Sequence, residues 1–146
     1  MSKAVDDLRH EHDAILSALK ILDAMAARLG GPQPPPAGDL SGFIGFLKEF
    51  ADRCHHGKEE GILFPALVAA GIPGEGGPVG AMLAEHVEGR KLIAGMEGAL
   101  AGPVDARRFR DAAAAYAQLL RAHIAKENDV LFPAGERVLT PGQLDG

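Results

Sequence analysis

Residues 55–65 read HHGKEEGILFP and residues 123–133 read HIAKENDVLFP, so one pattern occurs twice in the chain. Each copy contains a histidine, two variable residues, Lys-Glu, three variable residues and Leu-Phe-Pro. Residues four apart lie on the same face of a helix, so each copy directs an imidazole and a carboxylate towards one point. Two such pairs on facing helices would bring two histidines and two glutamates to a common centre. This donor set favours a metal site.

The composition favours helices within a single domain. The chain has 146 residues, of which 47% are hydrophobic but only 5% are aromatic, and it has no tryptophan. The β-branched and aromatic residues that favour strands are scarce, whereas alanine and leucine are abundant. We therefore expect one domain over residues 1–139, followed by a C-terminal tail over residues 140–146.

Charge and hydropathy bear on partners and location. The formal net charge of −5 and the pI of about 5.6 argue against a basic nucleic-acid-binding surface. No apolar run approaches the roughly 20 residues of a membrane span, and residues 1–7 lack the apolar core of a signal peptide. These features predict a cytoplasmic protein that binds neither membrane nor nucleic acid. The single cysteine, Cys54, excludes an intramolecular disulfide and a thiolate zinc site.

Apolar residues recur at spacings of three, four and seven along four segments, as in amphipathic helices. Loops rich in glycine or proline separate these segments. Short connections between helices favour an all-α, antiparallel up-down-up-down four-helix bundle. A kink or short break is expected just before Pro65 and a bend at Pro133. The predicted helices cover approximately residues 2–29, 39–70, 78–101 and 105–139.

Two further histidines lie on apolar stripes, His12 in the first predicted helix and His86 in the third. His10 lies two positions from His12, about 200° around the helix, so only one of them can face the core, and the stripe favours His12. Counting residues from the loops places the four histidines at a common depth. The predicted inner set is His12, His55, Glu59, His86, His123 and Glu127.

Two metal ions fit four imidazoles and two carboxylates better than one. Each carboxylate can bridge the two ions, and each ion then receives two imidazoles. Imidazole with carboxylate suits iron, with zinc or manganese as alternatives. Two ferrous ions carry four positive charges against two glutamates, so we expect a bridging hydroxide or oxide. At least one coordination position per ion stays open for dioxygen, nitric oxide or peroxide.

His56 and Glu60 are also four residues apart and could replace His55 and Glu59. The alignment with residues 123–133, counted back from Leu-Phe-Pro, favours the earlier pair. We therefore assign His56 and Glu60 to the surroundings of the site or to solvent.

Tyr116 and Arg90 lie near the predicted centre. Tyr116 is seven residues before His123, on the same helix face. It can be a core residue, a hydrogen-bond donor beside the metals or a phenolate ligand. Arg90 lies one turn after His86, where it can pair with a bridging carboxylate, guard the open site or form a salt bridge on the rim of the bundle.

Four motifs in this order resemble the hemerythrin-like HHE cation-binding domain family. They are Glu11-His12, the repeat at residues 55–65, Glu85-His86 with Arg90 four residues later, and the repeat at residues 123–133. The resemblance covers nearly the whole chain. It implies a non-haem di-iron site, held by the six inner residues within an antiparallel four-helix bundle.

Two positions depart from the oxygen-carrying members of that family. Those members have a further histidine four residues after the one at position 86, where this chain has Arg90, and an aspartate at the position of Glu127. The set of four histidines and two glutamates is similar to that of bacterial di-iron proteins linked to iron–sulfur cluster repair and nitric-oxide chemistry.

The leading hypothesis is a di-iron protein that binds or senses dioxygen, nitric oxide or peroxide. The alternatives are an enzyme that turns over peroxide or nitric oxide or oxidises iron, an iron store or donor, and a helical bundle with structural zinc. The sequence names no protein partner.

Overall fold

The computed structural model describes residues 3–74 and 77–139, and these residues form four long helices and no strand. The predicted tail at residues 140–146 lies outside the described residues. No helix in the described part of the chain combines the length and apolar character needed to cross a membrane. The helices are α1 (Lys3–Arg28), α2 (residues 37–69), α3 (Pro78–Ala99) and α4 (residues 106–138).

The helices begin where the local sequence supplies a start signal. The Asp105 carboxylate accepts a hydrogen bond from the Arg108 backbone N–H, so it caps the first turn of α4. Helix α2 begins at Ala37, two residues before the predicted start. Pro36 precedes it in an extended conformation, and the Pro36 carbonyl accepts a bond from the Asp39 N–H.

Helices α2 and α4 are continuous but contain π-helical turns. In α2, Lys48–His56 and Glu59–Leu63 are π-helical, between the α-helical segments Ala37–Leu47 and Phe64–Ala69. In α4, Glu127–Leu131 is π-helical, between Ala106–Lys126 and Phe132–Val138.

Of the kink or short break predicted before Pro65, the break is wrong, because α2 continues through this position with a π-helical turn. Proline has no N–H and its ring crowds the carbonyl four residues earlier, and a wider turn accommodates both defects. The Phe64 N–H bonds to the Glu59 carbonyl, five residues back.

Ion pairs show which helices are neighbours. Arg9 pairs with Glu136 and Arg121 with Asp23, so α1 lies against α4. Lys48 pairs with Glu97 and Arg90 with Asp52, so α2 lies against α3. Helices α3 and α4 also pack together along their length. These contacts are consistent with a helical bundle.

The buried interior contains two apolar clusters. The larger one includes Leu19, Leu22, Ile44, Met96 and Phe109. The smaller one is built around the Leu-Phe pairs of the two repeats, together with residues of α1 and α3. A layer of buried polar side chains lies between them.

Candidate metal centre

Seven buried ionisable side chains form the polar layer, and each exposes at most 4% of its surface. The six side chains predicted from the sequence are all among them. His10, the alternative to His12, is exposed. The seventh member is His56. The set is His12, His55, His56, Glu59, His86, His123 and Glu127.

The ligand atoms of these side chains form two groups, in each of which all atoms lie within 4.8 Å of one another. One group comprises His12, His55, Glu59 and Glu127. The other comprises His56, Glu59, His86 and His123. Glu59 therefore belongs to both.

Each glutamate reaches histidines on two sides. Glu59 Oε1 lies 3.2 Å from His86 Nε2 and 3.7 Å from His55 Nε2. Glu127 Oε1 lies 2.9 Å from His12 Nε2 and 3.3 Å from His123 Nε2. Both carboxylates therefore lie between two sets of imidazoles, as bridging ligands of a metal pair would.

Several atoms of the centre lack a hydrogen-bond partner within the protein. They include both carboxylate oxygens of Glu59, Oε2 of Glu127 and Nε2 of His55. A buried acceptor without a partner is costly, and the great majority of such atoms are satisfied in folded proteins. Imidazole nitrogens and carboxylate oxygens aimed at one another suit iron, zinc or manganese. The donor set fits a metal pair.

The two glutamates differ in acidity when no metal is bound. Burial, together with the neighbouring Glu127 carboxyl group, raises the pKa of Glu59 well above its usual range. Burial acts in the same direction on Glu127, but the neighbouring Glu59, His12 and His123 side chains outweigh it and hold the pKa of Glu127 well below its usual range. Without a metal, Glu127 therefore loses its proton more readily than Glu59.

Burial also keeps two of the imidazoles neutral. Desolvation and the neighbouring His12 lower the pKa of His55 to about 4. Desolvation and the neighbouring His56 lower the pKa of His86 to about 4. Neutral imidazole is the form that binds a metal, so these side chains need no deprotonation at neutral pH.

His56 lies inside the layer, whereas the sequence placed it beside the site or in solvent. Its ring stacks on His86, with centroids 3.7 Å apart and planes 13° apart. The reason is the π-helical backbone of Lys48–His56. A π-helix has more residues per turn than an α-helix, so consecutive side chains diverge by less than 100°. His55 and His56 can then both face inward.

Four of the histidines are oriented by hydrogen bonds from Nδ1 to an acceptor farther out. His55 Nδ1 donates to Glu11 at 2.8 Å, and His123 Nδ1 donates to Glu85 at 2.8 Å. His86 Nδ1 donates to Glu60 at 2.7 Å, and His12 Nδ1 donates to Asn128 Oδ1 at 2.8 Å. Such bonds fix the tautomer that leaves Nε2 free to bind a metal.

The outer acceptors repeat between the two halves of the chain. The glutamate before His12 serves His55, and the glutamate before His86 serves His123. The lysine of each repeat supports that glutamate, Lys58 at Glu11 and Lys126 at Glu85. Glu11 and Glu85 were missed from the sequence, although the Glu-His dipeptide occurs twice and each copy lies at the level of a repeat.

Arg90 lies on the rim of the site. Its guanidinium donates to Asp52 at 2.8 Å and to Glu60 at 2.8 Å, and not to Glu59 or Glu127. Of the interpretations that the sequence allowed, the structure therefore shows the salt bridge on the rim. Through Glu60, Arg90 supports the orientation of His86.

Tyr116 lies next to the layer. It lines a cavity of about 10 Å³ with His56, His86, Gly89 and Arg90 among its other walls. That volume holds about one water molecule. Burial and the charge of Asp52 raise the pKa of Tyr116, so its hydroxyl stays protonated at neutral pH. Arg90 and Asp52 also line a surface groove of about 440 Å³.

The comparisons with known proteins agree with this geometry. The hemerythrin HHE cation-binding domain matches residues 3–134, which is most of the chain. No curated protein and no solved structure matches. The buried histidines and glutamates that could hold metal ions all lie within the matched range. The chain belongs to the hemerythrin HHE cation-binding domain family.

Proposed function

We propose that this protein holds two iron ions and uses them to bind or sense a small ligand such as dioxygen, nitric oxide or peroxide. The observation that carries the proposal is the pair of buried four-residue groups that share Glu59. A shared carboxylate places two ions within bridging distance of each other. Family membership supports a cation at this position, and among the metals that suit these donors iron supplies redox chemistry.

The proposed ligand set includes His56 in addition to the six residues predicted from sequence. One ion would take His12 and His55, and the other would take His56, His86 and His123, with both glutamates between them. Oxygen-carrying members of the family have a histidine where this chain has Arg90. Here His56 brings an imidazole to the same neighbourhood from α2, while Arg90 turns outward to Asp52 and Glu60.

We further infer an antiparallel up-down-up-down arrangement of the helices. In α1 and α4, Arg9 pairs with Glu136 and Asp23 with Arg121, so residue numbers rise along one helix as they fall along the other. In α2 and α3, Lys48 pairs with Glu97 and Glu60 with Arg90, with the same reversal. The apolar clusters give α1 and α2 the same reversal, because the late residue Leu22 of α1 shares a cluster with the early residue Ile44 of α2, and the early residue Leu8 shares one with Leu63.

Ferrous ions in the centre would supply electrons and open coordination positions. The protein itself limits what can enter. The cavity beside His56, His86 and Tyr116 has room for about one water molecule, which favours a small ligand such as a diatomic molecule or peroxide over a larger organic substrate. Arg90 and Asp52 line both the cavity and the surface groove, so a ligand entering from that side would pass their ion pair.

Metal content and optical spectra test the proposal. Protein purified without added metal should contain about two iron ions per chain and show absorption bands of a bridged ferric pair after oxidation. The ferrous protein should form a stable, reversible adduct with nitric oxide. Near-stoichiometric zinc with no iron would contradict the proposal and favour structural zinc.

An enzyme is the second candidate, because Tyr116, whose hydroxyl stays protonated at neutral pH, is one of the residues that line the cavity. A phenol there could donate a hydrogen bond or a proton to bound peroxide. Steady turnover of peroxide or nitric oxide that is lost in Tyr116→Phe, with iron content unchanged, would favour the enzyme. Adducts that form and dissociate without turnover would favour the binding protein.

A further inference from the structure

The outer acceptors of the four hydrogen-bonded histidines are not equivalent. His55, His86 and His123 each donate from Nδ1 to a carboxylate. His12 donates to Asn128, which is an uncharged amide. Asn128 follows the ligand glutamate Glu127 as Glu60 follows Glu59, so the two halves of the chain have different residues at a matching position.

The three carboxylate acceptors also differ from Asn128 in that each forms an ion pair with a basic side chain. Lys58 pairs with Glu11, Lys126 with Glu85 and Arg90 with Glu60, so each carboxylate is held in place by a cation. The aromatic contacts, by contrast, match between the halves. Phe64 lies against His86 with ring centroids 5.7 Å apart, and Phe132 lies against His12 with centroids 5.3 Å apart. Between His12 and His86 the difference therefore lies in the charge of the acceptor and in the cation behind it, while the group at His86 also contains His56.

A carboxylate that accepts the Nδ1 proton of an imidazole makes Nε2 a stronger donor to a metal than a neutral acceptor does. The histidine bound to Asn128 is therefore the weakest imidazole ligand of the four. We propose that Asn128 weakens the metal position at His12 and His55, which in the proposed ligand set also has one imidazole fewer than the other, so that this position fills last and releases its ion first. The inference rests on the proposed metal pair and assigns unequal roles to its two members.

The test uses isosteric exchanges at the matching positions in the full chain. Metal-free protein is titrated with Co²⁺ alone under anaerobic conditions, and its visible absorption and competition with a chelator give the affinity of each step. The wild type should bind two ions in two resolved steps. Asn128→Asp should tighten the weaker step by about tenfold and leave the tighter step unchanged, because changes in such outer residues alter metal affinity by about 10–100-fold.

Glu60→Gln is the matched counterpart, because it removes the charge behind His86 while Gln can still accept hydrogen bonds. It should weaken the tighter step by about tenfold and leave the weaker one unchanged. Asn128→Asp combined with Asp129→Asn keeps the net charge constant. In this double variant the affinity of the weaker step should increase as much as in Asn128→Asp alone, because Asp129 is exposed. Melting curves of the metal-free variants show whether each one folds.

Two results would overturn the inference while the metal pair stands. One is a wild type that binds two Co²⁺ ions, with Asn128→Asp changing neither step by more than about twofold. The other is a tightening confined to the stronger step. A wild type that binds no pair of ions would contradict the proposed function as well, so the two failures are distinguishable.

Discussion

At the scale of single residues, His56 is the buried side chain of the layer that the sequence did not place there. The six inner side chains could be predicted because they follow α-helical spacing and because the repeat aligns them. His56 could not, because its inward direction comes from a π-helical segment, Lys48–His56, that contains no proline to signal it. The repeat alone shows that Asn128 and Glu60 occupy matching positions. Their role as hydrogen-bond acceptors for His12 and His86 could be recognised only from the structure.

His56→Ala tests whether this side chain binds metal. We expect it to weaken Co²⁺ binding at one position by at least about 10–100-fold, the range for losing an outer partner, because a direct ligand would be removed. His10→Ala is the control, since His10 is exposed on the first helix. Equal affinities for the two variants would show that His56 is only a packed neighbour of His86.

The buried neutral histidines predict how the stability of the metal-free protein depends on pH. The pKa values of His55 and His86 fall from 6.5 to about 4 on folding. Between these values the unfolded chain binds protons that the folded chain does not. Each of these two histidines should therefore lower the free energy of unfolding as pH falls from 6.5 to 4, by up to about 1.4 kcal/mol per pH unit. Glu59, whose pKa is raised well above 4.5 on folding, opposes them by up to the slope of one residue, so the histidines leave a net drop.

His123 adds little to this slope, because its pKa is raised above 6.5 and it is mostly protonated in both states within that window. Urea unfolding at several pH values measures the slope. His86→Asn should reduce it, and His10→Asn should not. A free energy of unfolding that stays level from pH 6.5 to 4 would contradict the prediction.

At the scale of helices, the π-helical turns set the register of the side chains in the candidate metal centre. Glu59–Leu63 and Glu127–Leu131 each begin with a glutamate of this centre and end at the leucine of Leu-Phe-Pro. The sequence showed that proline would disturb the helix, and it therefore predicted a kink or short break. A break was not needed, because a wider turn satisfies the Glu59 and Glu127 carbonyls through bonds from Phe64 and Phe132.

Pro65→Ala tests the role of the turn in α2. Alanine restores an N–H and removes the crowded ring, so this turn can relax towards α-helical geometry. Glu59 would then rotate relative to Phe64, and we expect Co²⁺ affinity to fall by about tenfold while the helix content stays the same. Circular dichroism and metal titration measure the two quantities.

Pro32→Ala, in the exposed linker before α2, is the matched control for replacing a proline. It should leave Co²⁺ affinity unchanged. If Pro65→Ala also binds Co²⁺ with wild-type affinity, the turn does not position Glu59.

At the scale of the whole molecule, a polar layer divides the hydrophobic interior in two. The apolar clusters on either side were predictable from the stripes of the helices. The layer itself contains buried acceptors without partners, among them both oxygens of Glu59. Leaving such groups unpaired is unfavourable, so the metal-free fold is less stable than its apolar packing alone would make it.

Metal binding should therefore stabilise the fold strongly. A free metal concentration 100 times Kd adds about 2.7 kcal/mol for each site, so filling both should raise Tm by about 10 °C or more in a chain of this size. Calorimetry with and without Co²⁺ measures the change. Glu59→Gln is the control, because it keeps the size and shape of the Glu59 side chain yet replaces the shared carboxylate with an amide. If Co²⁺ raises the Tm of this variant as much as it raises the wild-type Tm, Glu59 does not bridge the two ions.

The division of the two four-residue groups between the halves of the chain has a further consequence. The group at His12 takes Glu127 from the second half, and the group at His56 takes two residues from each half. Neither half contains all four residues of a group, so an ion bound there would link residues 3–74 to residues 77–139. If the chain were cut at the connection near Gly74, bound ions would add to the apolar clusters that hold the two pieces together, and the pieces would separate more readily once a stronger chelator withdrew the ions.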